Sequence, residues 1–422
     1  MRKTHLKNII VAFVTSLVCT IICFTIHIIP QSNSMINFKT DSINTSKTSI
    51  SNDYLSAVIV YHKTEPAFAK RPLTTFLIEG FSKITSLNLG LSFTIINFFL
   101  FFLVGILIFY GSLALGNHLK ASVLSIVCFF LSFTVLFSFF RSNYSYDEPL
   151  QYFFILIALF ALFYKNWFVY IFSFSFALIV RESSVFLLPS IALFLFPDKE
   201  KTESFINWKY LKRIIVLSIP VFVYLLFLFV YLTYFRIWNQ SKTDISGRLS
   251  YFHYNFQDAN FSNESIISLF LAVGLHFYFI FWYLKDAGLT LFERKLIKSF
   301  ILTLIINSVV ILLAAKAREI RLFALPLLFV WPIIGKVVLS EFKLMKTGYK
   351  NLKNLLFVPL FLFLSFISLI ISNYIYTLTE PDRNENFFHE YLGITLVLIS
   401  LHFLIRFLGG RRQKNSKPDA KE

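Results

Sequence analysis

The sequence predicts an all-α polytopic membrane protein with about twelve transmembrane helices. Of its 422 residues, 56% are hydrophobic and only 15% are charged, whereas soluble domains carry about 25% charged residues. The chain also contains 54 Phe and 20 Tyr, which is more aromatic surface than a water-soluble fold of this length can bury. Lipid is therefore the solvent that this composition fits.

The predicted helices follow from apolar runs that are long enough to cross a bilayer, about 20 residues each. One longer apolar stretch, 149–196, is interrupted by Lys165-Asn166 and by Arg181-Glu182. Because charges at bilayer depth are costly, these interruptions predict loops between three shorter helices. The predicted spans are 8–29, 89–114, 121–140, 149–164, 167–180, 183–196, 214–235, 266–284, 299–315, 322–340, 355–376 and 391–408.

The distribution of basic residues predicts the orientation of the chain. Its net charge is +17, and Lys-rich segments occur at Lys199–Arg213, Lys285–Lys298, Lys343–Lys353 and Arg411–Lys421. Basic residues collect in the cytoplasmic loops of membrane proteins. Both termini are therefore predicted to be cytoplasmic, and no nucleic-acid partner is needed to explain the charge. The first run is longer than the apolar region of a signal peptide and is expected to be a retained span.

The whole chain, residues 1–422, is predicted to form one transmembrane domain. Its largest part outside the membrane is the first external loop, 30–88. Within this loop Pro72 and the apolar residues that follow it at helical spacing predict an amphipathic surface helix near 72–87. Residues 409–422 form a predicted basic cytoplasmic tail.

Two groups of charged residues from the first part of the chain lie on the predicted external face, and they are candidate functional residues. The first external loop contains Asn52-Asp53-Tyr54 and Lys70-Arg71, which a solvated loop also explains. Asp147-Glu148-Pro149 places two adjacent carboxylates at the outer mouth of a span. This pair is either a helix cap or a metal ligand or general base.

Two further groups lie at later helix ends. Arg181-Glu182, between two short helices, is either a structural ion pair or part of a functional cavity. Lys316, Arg318 and Arg321, with Glu319 among them, lie on the predicted outer side, against the usual bias of basic residues. A phosphate-binding site explains this cluster, because Arg binds phosphate oxygens in bidentate fashion.

All four groups fall on one predicted face of the membrane. Carboxylates for acid–base chemistry or a divalent cation, together with arginines for a phosphate, are the groups needed to displace a lipid phosphate. The sequence contains no glycine-rich phosphate loop, no HExxH and no GxSxG motif that would favour a nucleotide-binding protein, metalloprotease or serine hydrolase.

The order of these motifs resembles the GT-C superfamily of membrane glycosyltransferases, including bacterial relatives of the protein mannosyltransferases and the lipid A aminoarabinose transferases. The resemblance covers roughly residues 1–340. It rests on Asp53 near the start of the first external loop, Arg71-Pro72-Leu73 before a helix, Asp147-Glu148-Pro149 opening a span, Arg181-Glu182-Ser183, and Arg318-Glu319-Ile320-Arg321.

The resemblance implies a hexosyl- or pentosyltransferase of a bacterial inner membrane. It is expected to move a sugar from a polyprenyl-phosphate donor to a glycan, lipid or protein acceptor at the outer, periplasmic face. By that analogy Asp53 is the general base. Asp147, with Glu148, binds a divalent cation (Mg²⁺ or Mn²⁺) or orients the acceptor. The lipid phosphate is held by Arg181, Arg318 and Arg321. The other implied substrate-binding residues are Tyr54, Lys70, Arg71, Glu182 and Glu319.

Two other classes of protein stay open on the sequence alone. A transporter or flippase of a lipid-linked or anionic substrate is expected to contain inverted repeats, and no repeat relates the two halves of this sequence. A polysaccharide polymerase or ligase also uses arginines at the outer face, but its largest external loop usually comes late in the chain. Here the first external loop is the largest, which favours the glycosyltransferase.

Overall fold

The computed structural model describes residues 2–28, 52–136, 146–195, 208–238, 247–286, 289–351, 354–379 and 388–415. Over these ranges the structure is helical and contains no β-strand. Seven of the helices there are long and apolar enough to cross a membrane. The predicted class of α-helical polytopic membrane protein is thereby confirmed. Residues 30–51 of the predicted first external loop, and residues 416–422 of the predicted basic tail, lie outside the described residues.

The helices are numbered along the chain. They are α1 Arg2–Ile28, α2 Asn52–Thr64, α3 Pro72–Thr85, α4 Leu89–Ala114, α5 Leu119–Leu131, α6 Glu148–Phe163, α7 Trp167–Val180, α8 Leu188–Leu195, α9 Trp208–Phe235, α10 Ser250–Asn255, α11 Ala259–Leu269, α12 Leu275–Asp286, α13 Leu291–Ala314, α14 Trp331–Asn351, α15 Asn354–Thr377 and α16 Phe388–Asn415. A π-helix, Phe270–Gly274, joins α11 to α12, and 3₁₀ helices, Glu182–Leu187 and Ile320–Phe329, precede α8 and α14.

Every predicted apolar run overlaps a helix, but several of these helices are shorter than a full span. Four apolar helices have only 10–17 residues: α5, α6, α7 and the segment Glu182–Leu195. The predicted span 322–340 is bent, because its 3₁₀ part and α14 meet at an angle of 81°. Proline accounts for this bend. Pro326 and Pro332 lack backbone N–H groups, and Pro332 is tolerated where α14 begins afresh.

Side-chain caps set the starts of several helices. The Asn88 side chain accepts a hydrogen bond from Leu91 N at the start of α4, and Asn166 does the same for Val169 N at the start of α7. Thr290 and Glu293 form a reciprocal capping box at the start of α13. These caps satisfy backbone N–H groups that the first helical turn leaves without partners.

The helices α2 and α3, from the predicted first external loop, lie beside the start of α4. Gly90 N donates a hydrogen bond of 3.0 Å to the side chain of Asn52 at the beginning of α2. On α3 the residues Phe76 and Ile84 are exposed although they are apolar. Exposed apolar side chains on a helix too short to span are typical of a helix at the membrane surface.

Some helices of the bundle are closely packed, whereas others expose most of their surface. Gly335 on α14 lies so near α5 that a Cβ atom there would collide with the backbone of Ala121 and Ser125. Its N–H donates a hydrogen bond of 3.0 Å to Ser125 Oγ. By contrast, only 6% of the apolar stretch Leu211–Tyr234 of α9 is buried, so this helix presents its side chains to lipid.

Candidate functional site

The strongest ion pair near the start of α3 joins residues 111 positions apart. Arg71 donates two hydrogen bonds of 2.6 Å to the carboxylate of Glu182, from Nε to Oε2 and from Nη2 to Oε1. Lys70 Nζ lies 3.4 Å and Arg248 Nη2 lies 3.8 Å from Glu182 Oε1. Three basic side chains therefore surround one carboxylate, and a bidentate guanidinium fixes its orientation.

A second carboxylate, Glu148 at the start of α6, is held by two arginines. Arg181 Nη1 makes a short ion pair with Glu148 Oε1, and Arg321 Nε lies 3.3 Å from the same oxygen. Arg321 Nη2 also donates a hydrogen bond of 2.9 Å to Glu319. The backbone at Arg181 is extended, and successive side chains in an extended segment point to opposite sides. Arg181 can therefore contact Glu148 while the next residue, Glu182, contacts a different arginine.

Asp147 is the carboxylate of this group with the weakest pairing. Its Oδ2 lies 3.8 Å from Arg71 Nη1. Its buried Oδ1 makes no hydrogen bond of standard geometry with a described residue, although the Thr74 hydroxyl lies close enough to lower the pKa of Asp147. Although it precedes α6, its side chain makes no capping hydrogen bond. Burial raises the pKa of Asp147 to about 7, against the lowering effect of Arg71. The group therefore takes up and releases a proton near neutral pH.

His62 on α2 stands next to these charges and was not predicted from the sequence. Its ring stacks on that of Tyr146, with the centroids 3.7 Å apart and the planes at 17°. The Tyr146 hydroxyl is hydrogen-bonded to that of Thr75 at 2.8 Å. Burial and the neighbouring Arg71 lower the pKa of His62 to about 3, so the imidazole is neutral. No spacing in the sequence links His62 to Tyr146, which lies 84 positions away.

The structure brings most of the predicted site residues into one set of contacts. We call this set the arginine–carboxylate network. Its members are Lys70, Arg71, Asp147, Glu148, Arg181, Glu182, Arg248, Glu319 and Arg321. Arg248 was not predicted, because it lies in a polar loop where a basic residue carries no special signal. The network lies where α3, α4 and α6 begin and α7 ends, which is one end of the bundle.

Two predicted site residues, Asp53 and Arg318, lie outside the network, and a third, Tyr54, has a side chain that the structure does not describe. Asp53 is exposed in the first turn of α2 and makes no ion pair with another residue in the described ranges. Tyr54 belongs to the same helix, but its side chain lies outside what the structure describes. Arg318 is 3.5 Å from Glu264, and its guanidinium lies 3.9 Å from the ring centroid of Phe261. The functional roles of these residues stay predictions.

The donor set around Asp147 does not fit the predicted divalent cation. Glu148 is occupied by two arginines, and Asp147 faces Arg71. Cationic side chains at this distance repel a metal ion. Within the described ranges no group of three or more His, Cys, Asp or Glu side chains is arranged to hold a metal. The metal stays a prediction, and no chemical step is derived through it.

Three buried polar atoms near the network lack hydrogen-bond partners among the described residues: Asp147 Oδ1, His62 Nδ1 and Arg181 Nε. Such atoms are rare in folded proteins, and a group of them at one place needs an explanation. They comprise an acceptor, an imidazole nitrogen and a guanidinium donor. Together they can bind a ligand that carries both hydroxyl and anionic oxygen atoms.

Comparison with protein-family models, with curated proteins and with solved structures found no match to this chain. The fold and the site therefore define a class of protein. The chain is a polytopic α-helical membrane protein with a buried arginine–carboxylate network at one end of its helices.

Proposed function

We propose that this protein is a membrane glycosyltransferase that moves a sugar from a polyprenyl-phosphate donor to an acceptor hydroxyl at the outer face of the membrane. The observation that carries the proposal is Asp147: a buried carboxylate with a pKa of about 7, placed 3.8 Å from Arg71. A group that titrates near the working pH is suited to general base catalysis. The motif order that resembles the GT-C superfamily supports the same activity.

The proposed reaction is a single displacement at the anomeric carbon of the donor sugar. The acceptor hydroxyl oxygen forms a bond to this carbon as the bond from the carbon to the phosphate oxygen breaks. The hydroxyl proton passes to Asp147, and the polyprenyl phosphate leaves with the bonding electron pair. In this scheme the nucleophile and its base act on the face of the sugar opposite to the phosphate.

The departing phosphate needs positive charge that is already in place. Arg181 and Arg321 are held by Glu148, and Arg71 is held by Glu182. Side chains fixed in this way need little reorganisation as negative charge develops on the leaving group. Arg181 retains a buried Nε–H without a partner in the described structure, which makes it the first candidate for a direct phosphate contact.

This assignment changes the role given to Asp53 by the family resemblance. Asp53 is exposed, whereas Asp147 is buried beside Arg71. Burial raises the pKa of a carboxyl group and makes its carboxylate a stronger base. We therefore propose Asp147 as the general base, and Asp53 as a residue of the acceptor entrance.

The experiment that tests the proposal uses membranes that contain the full chain and a panel of radiolabelled polyprenyl-phosphate hexoses and pentoses. Transfer of label to glycan, lipid or protein is measured between pH 5 and 9. Native chain is expected to transfer label from at least one donor, with a rate that rises through about pH 7 as Asp147 ionises. Asp147→Asn is expected to lower the rate about 100-fold or more, within the range of general base catalysis.

The matched control for this experiment is Asp53→Asn, which makes the same chemical change at an exposed carboxylate. Its rate is expected to stay within about threefold of the native rate. The base assignment fails if the two variants behave in the opposite way. The proposed activity as a whole fails if native chain transfers no label from any donor.

The proposed topology has twelve crossings with both termini cytoplasmic. It counts the four short apolar helices and the bent pair before and after Val330 as crossings. The test is labelling of single cysteines at Lys63 and Lys346 by a membrane-impermeant maleimide, in a chain from which Cys19, Cys23 and Cys128 have been removed. Cysteine at position 63 is expected to react in intact cells, and cysteine at position 346 only after lysis.

A further inference from the structure

His62, in the last turn of α2, has both faces of its imidazole ring covered by aromatic rings. The Tyr146 ring lies 3.7 Å away at an angle of 17°, and the Phe68 ring lies 4.5 Å away at 31°. Two nearly parallel rings this close to a third ring cannot share one of its faces, because their atoms would overlap. Tyr146 and Phe68 therefore lie on opposite faces, and only the edge that carries the two nitrogens is left for hydrogen bonds.

This nitrogen edge makes no hydrogen bond with any residue that the structure describes. Nδ1 of His62 is buried without a partner there, and Nε2 has none either. A neutral imidazole carries one donor and one acceptor, and polar groups left unpaired inside a protein are costly and rare. The edge of His62 is therefore suited to a ligand that both donates and accepts.

The charges that act on His62 belong to the arginine–carboxylate network. After burial itself, Arg71 lowers the pKa of His62 most, and Arg321 and Arg181 act in the same direction. The Phe68 ring also lies 5.4 Å from the Arg71 guanidinium. These three arginines are the ones proposed to stabilise the phosphate of the donor. The sugar that is bonded to this phosphate is therefore expected within reach of His62.

We propose that His62 binds a hydroxyl group of the donor sugar through the nitrogen edge of its imidazole. The inference rests on the proposed function, because it takes the ligand to be a polyprenyl-phosphate sugar. A hydroxyl group donates and accepts hydrogen bonds, so it matches either nitrogen of the neutral ring in either tautomer. Because Phe68 and Tyr146 already hold the ring, little side-chain freedom is lost when the sugar binds.

The first experiment measures donor binding without any transfer. The full purified chain in phosphatidylcholine nanodiscs is titrated with short-chain polyprenyl-phosphate hexoses and pentoses, and with the same polyprenyl phosphate without sugar. The quantity measured is the ligand concentration that gives half of the shift in unfolding midpoint. His62→Phe removes the nitrogens and retains a ring. His118→Phe is the matched control, because this exposed histidine follows the far end of α4 from the network.

His62→Phe is expected to need at least about fivefold more of the best-bound polyprenyl-phosphate sugar, as the loss of a hydrogen bond implies. Its response to polyprenyl phosphate without sugar should stay within about twofold of the native response. His118→Phe should match the native chain with both ligands. Equal weakening with and without the sugar overturns the proposal, and so does unchanged binding in His62→Phe. A native chain that responds to none of the sugar-bearing lipids also overturns it.

A second experiment removes the hydrogen bond from the ligand instead of the protein. Donors that lack one sugar hydroxyl at a time are compared in the same titration. A site built to bind a hydroxyl group discriminates against the analogue that lacks it. The native chain should bind one of these deoxy donors at least about fivefold more weakly than the complete donor, and His62→Phe should lose this discrimination. Discrimination that persists in His62→Phe would assign the hydroxyl to another residue.

His62→Gln and His62→Met form a second pair of variants, which applies even where His62→Phe does not fold. Their side chains have similar length, but only glutamine carries a donor and an acceptor. Tighter binding of the complete donor by His62→Gln is expected, and equal binding by the two variants overturns the proposal. Every readout here is binding, so a chain that binds these donors but transfers no label would refute the transferase activity and leave the role of His62 standing.

Discussion

Arg71 and Glu182 form a bidentate ion pair between a helix of the first loop and the segment that follows α7, with both hydrogen bonds at 2.6 Å. The pair ties a surface helix to the membrane-embedded part of the protein. It also holds Arg71 where its third nitrogen, Nη1, faces Asp147. The position of the Arg71 guanidinium beside Asp147, the proposed base, therefore depends on the ion pair with Glu182.

Glu182→Gln is expected to destabilise the protein, because it leaves Arg71 and its neighbour Lys70 without their shared carboxylate. Removing one partner of a buried ion pair costs about 3–5 kcal/mol. Thermal unfolding in detergent measures the effect. Lys63→Met is the matched control, since it breaks the exposed pair with Glu79, and exposed pairs contribute about 0–1 kcal/mol. Similar losses in the two variants would contradict the assignment.

Asp147 makes the stability of the protein depend on pH. Its pKa rises from 3.8 in the unfolded chain to about 7 in the folded one, so the folded state binds this proton more tightly. The resulting stabilisation is complete below about pH 4 and is lost as the pH rises through about 7. Asp147→Asn mimics the protonated group. Its unfolding midpoint, measured relative to the native chain, is expected to increase between pH 5 and 8, and a constant difference would refute the prediction.

His62 is expected to produce the opposite dependence. Its pKa falls from 6.5 to about 3 on folding, so the unfolded chain takes up the proton first as the pH is lowered. The native chain should therefore lose stability between pH 7 and 4 relative to His62→Phe, a variant that retains a ring to stack on Tyr146. Unfolding midpoints at five pH values across this range test the prediction. Parallel curves for both chains would show that His62 is not buried in its neutral form.

Gly335→Ala is expected to lower the unfolding midpoint. The added Cβ would collide with the backbone of α5, and overpacking of this kind costs about 1–3 kcal/mol. Gly80→Ala, on α3, meets nothing within 4 Å and should raise stability by about 0.5–1 kcal/mol, because alanine favours the helix. The two substitutions are chemically identical, so opposite signs isolate the effect of helix packing.

Composition and apolar run length were sufficient to predict the helical membrane fold. The run 89–114 coincides with α4, and 167–180 coincides with α7, because their ends carry clear caps or charges. The bend at Val330 could not be predicted from hydropathy. A hydropathy average measures how well a segment suits lipid, and it contains no information on the direction that the backbone takes at a proline.

The candidate site was only partly accessible to sequence reasoning. Arg71, Asp147 and Glu182 were selected because charged residues at the ends of apolar runs are unusual. His62 and Arg248 carry no such signal, since both lie in predicted external loops, where a titratable residue is common. Their relevance comes from tertiary contacts across many positions, which are set by packing rather than by local pattern. For the same reason the sequence could not separate exposed Asp53 from buried Asp147.

The extended backbone at Arg181 makes the charge order of this segment sensitive to register. Arg181 and Glu182 point to opposite sides, one toward Glu148 and the other toward Arg71. A deletion of one residue before position 181 would bring Glu182 to the place beside Glu148, and an insertion of one residue would bring Arg181 to the place beside Arg71. Relatives of this protein should therefore accept length changes in the loops around the segment far more readily than within it. An alignment gap just before Arg181 would indicate a protein that has lost this site.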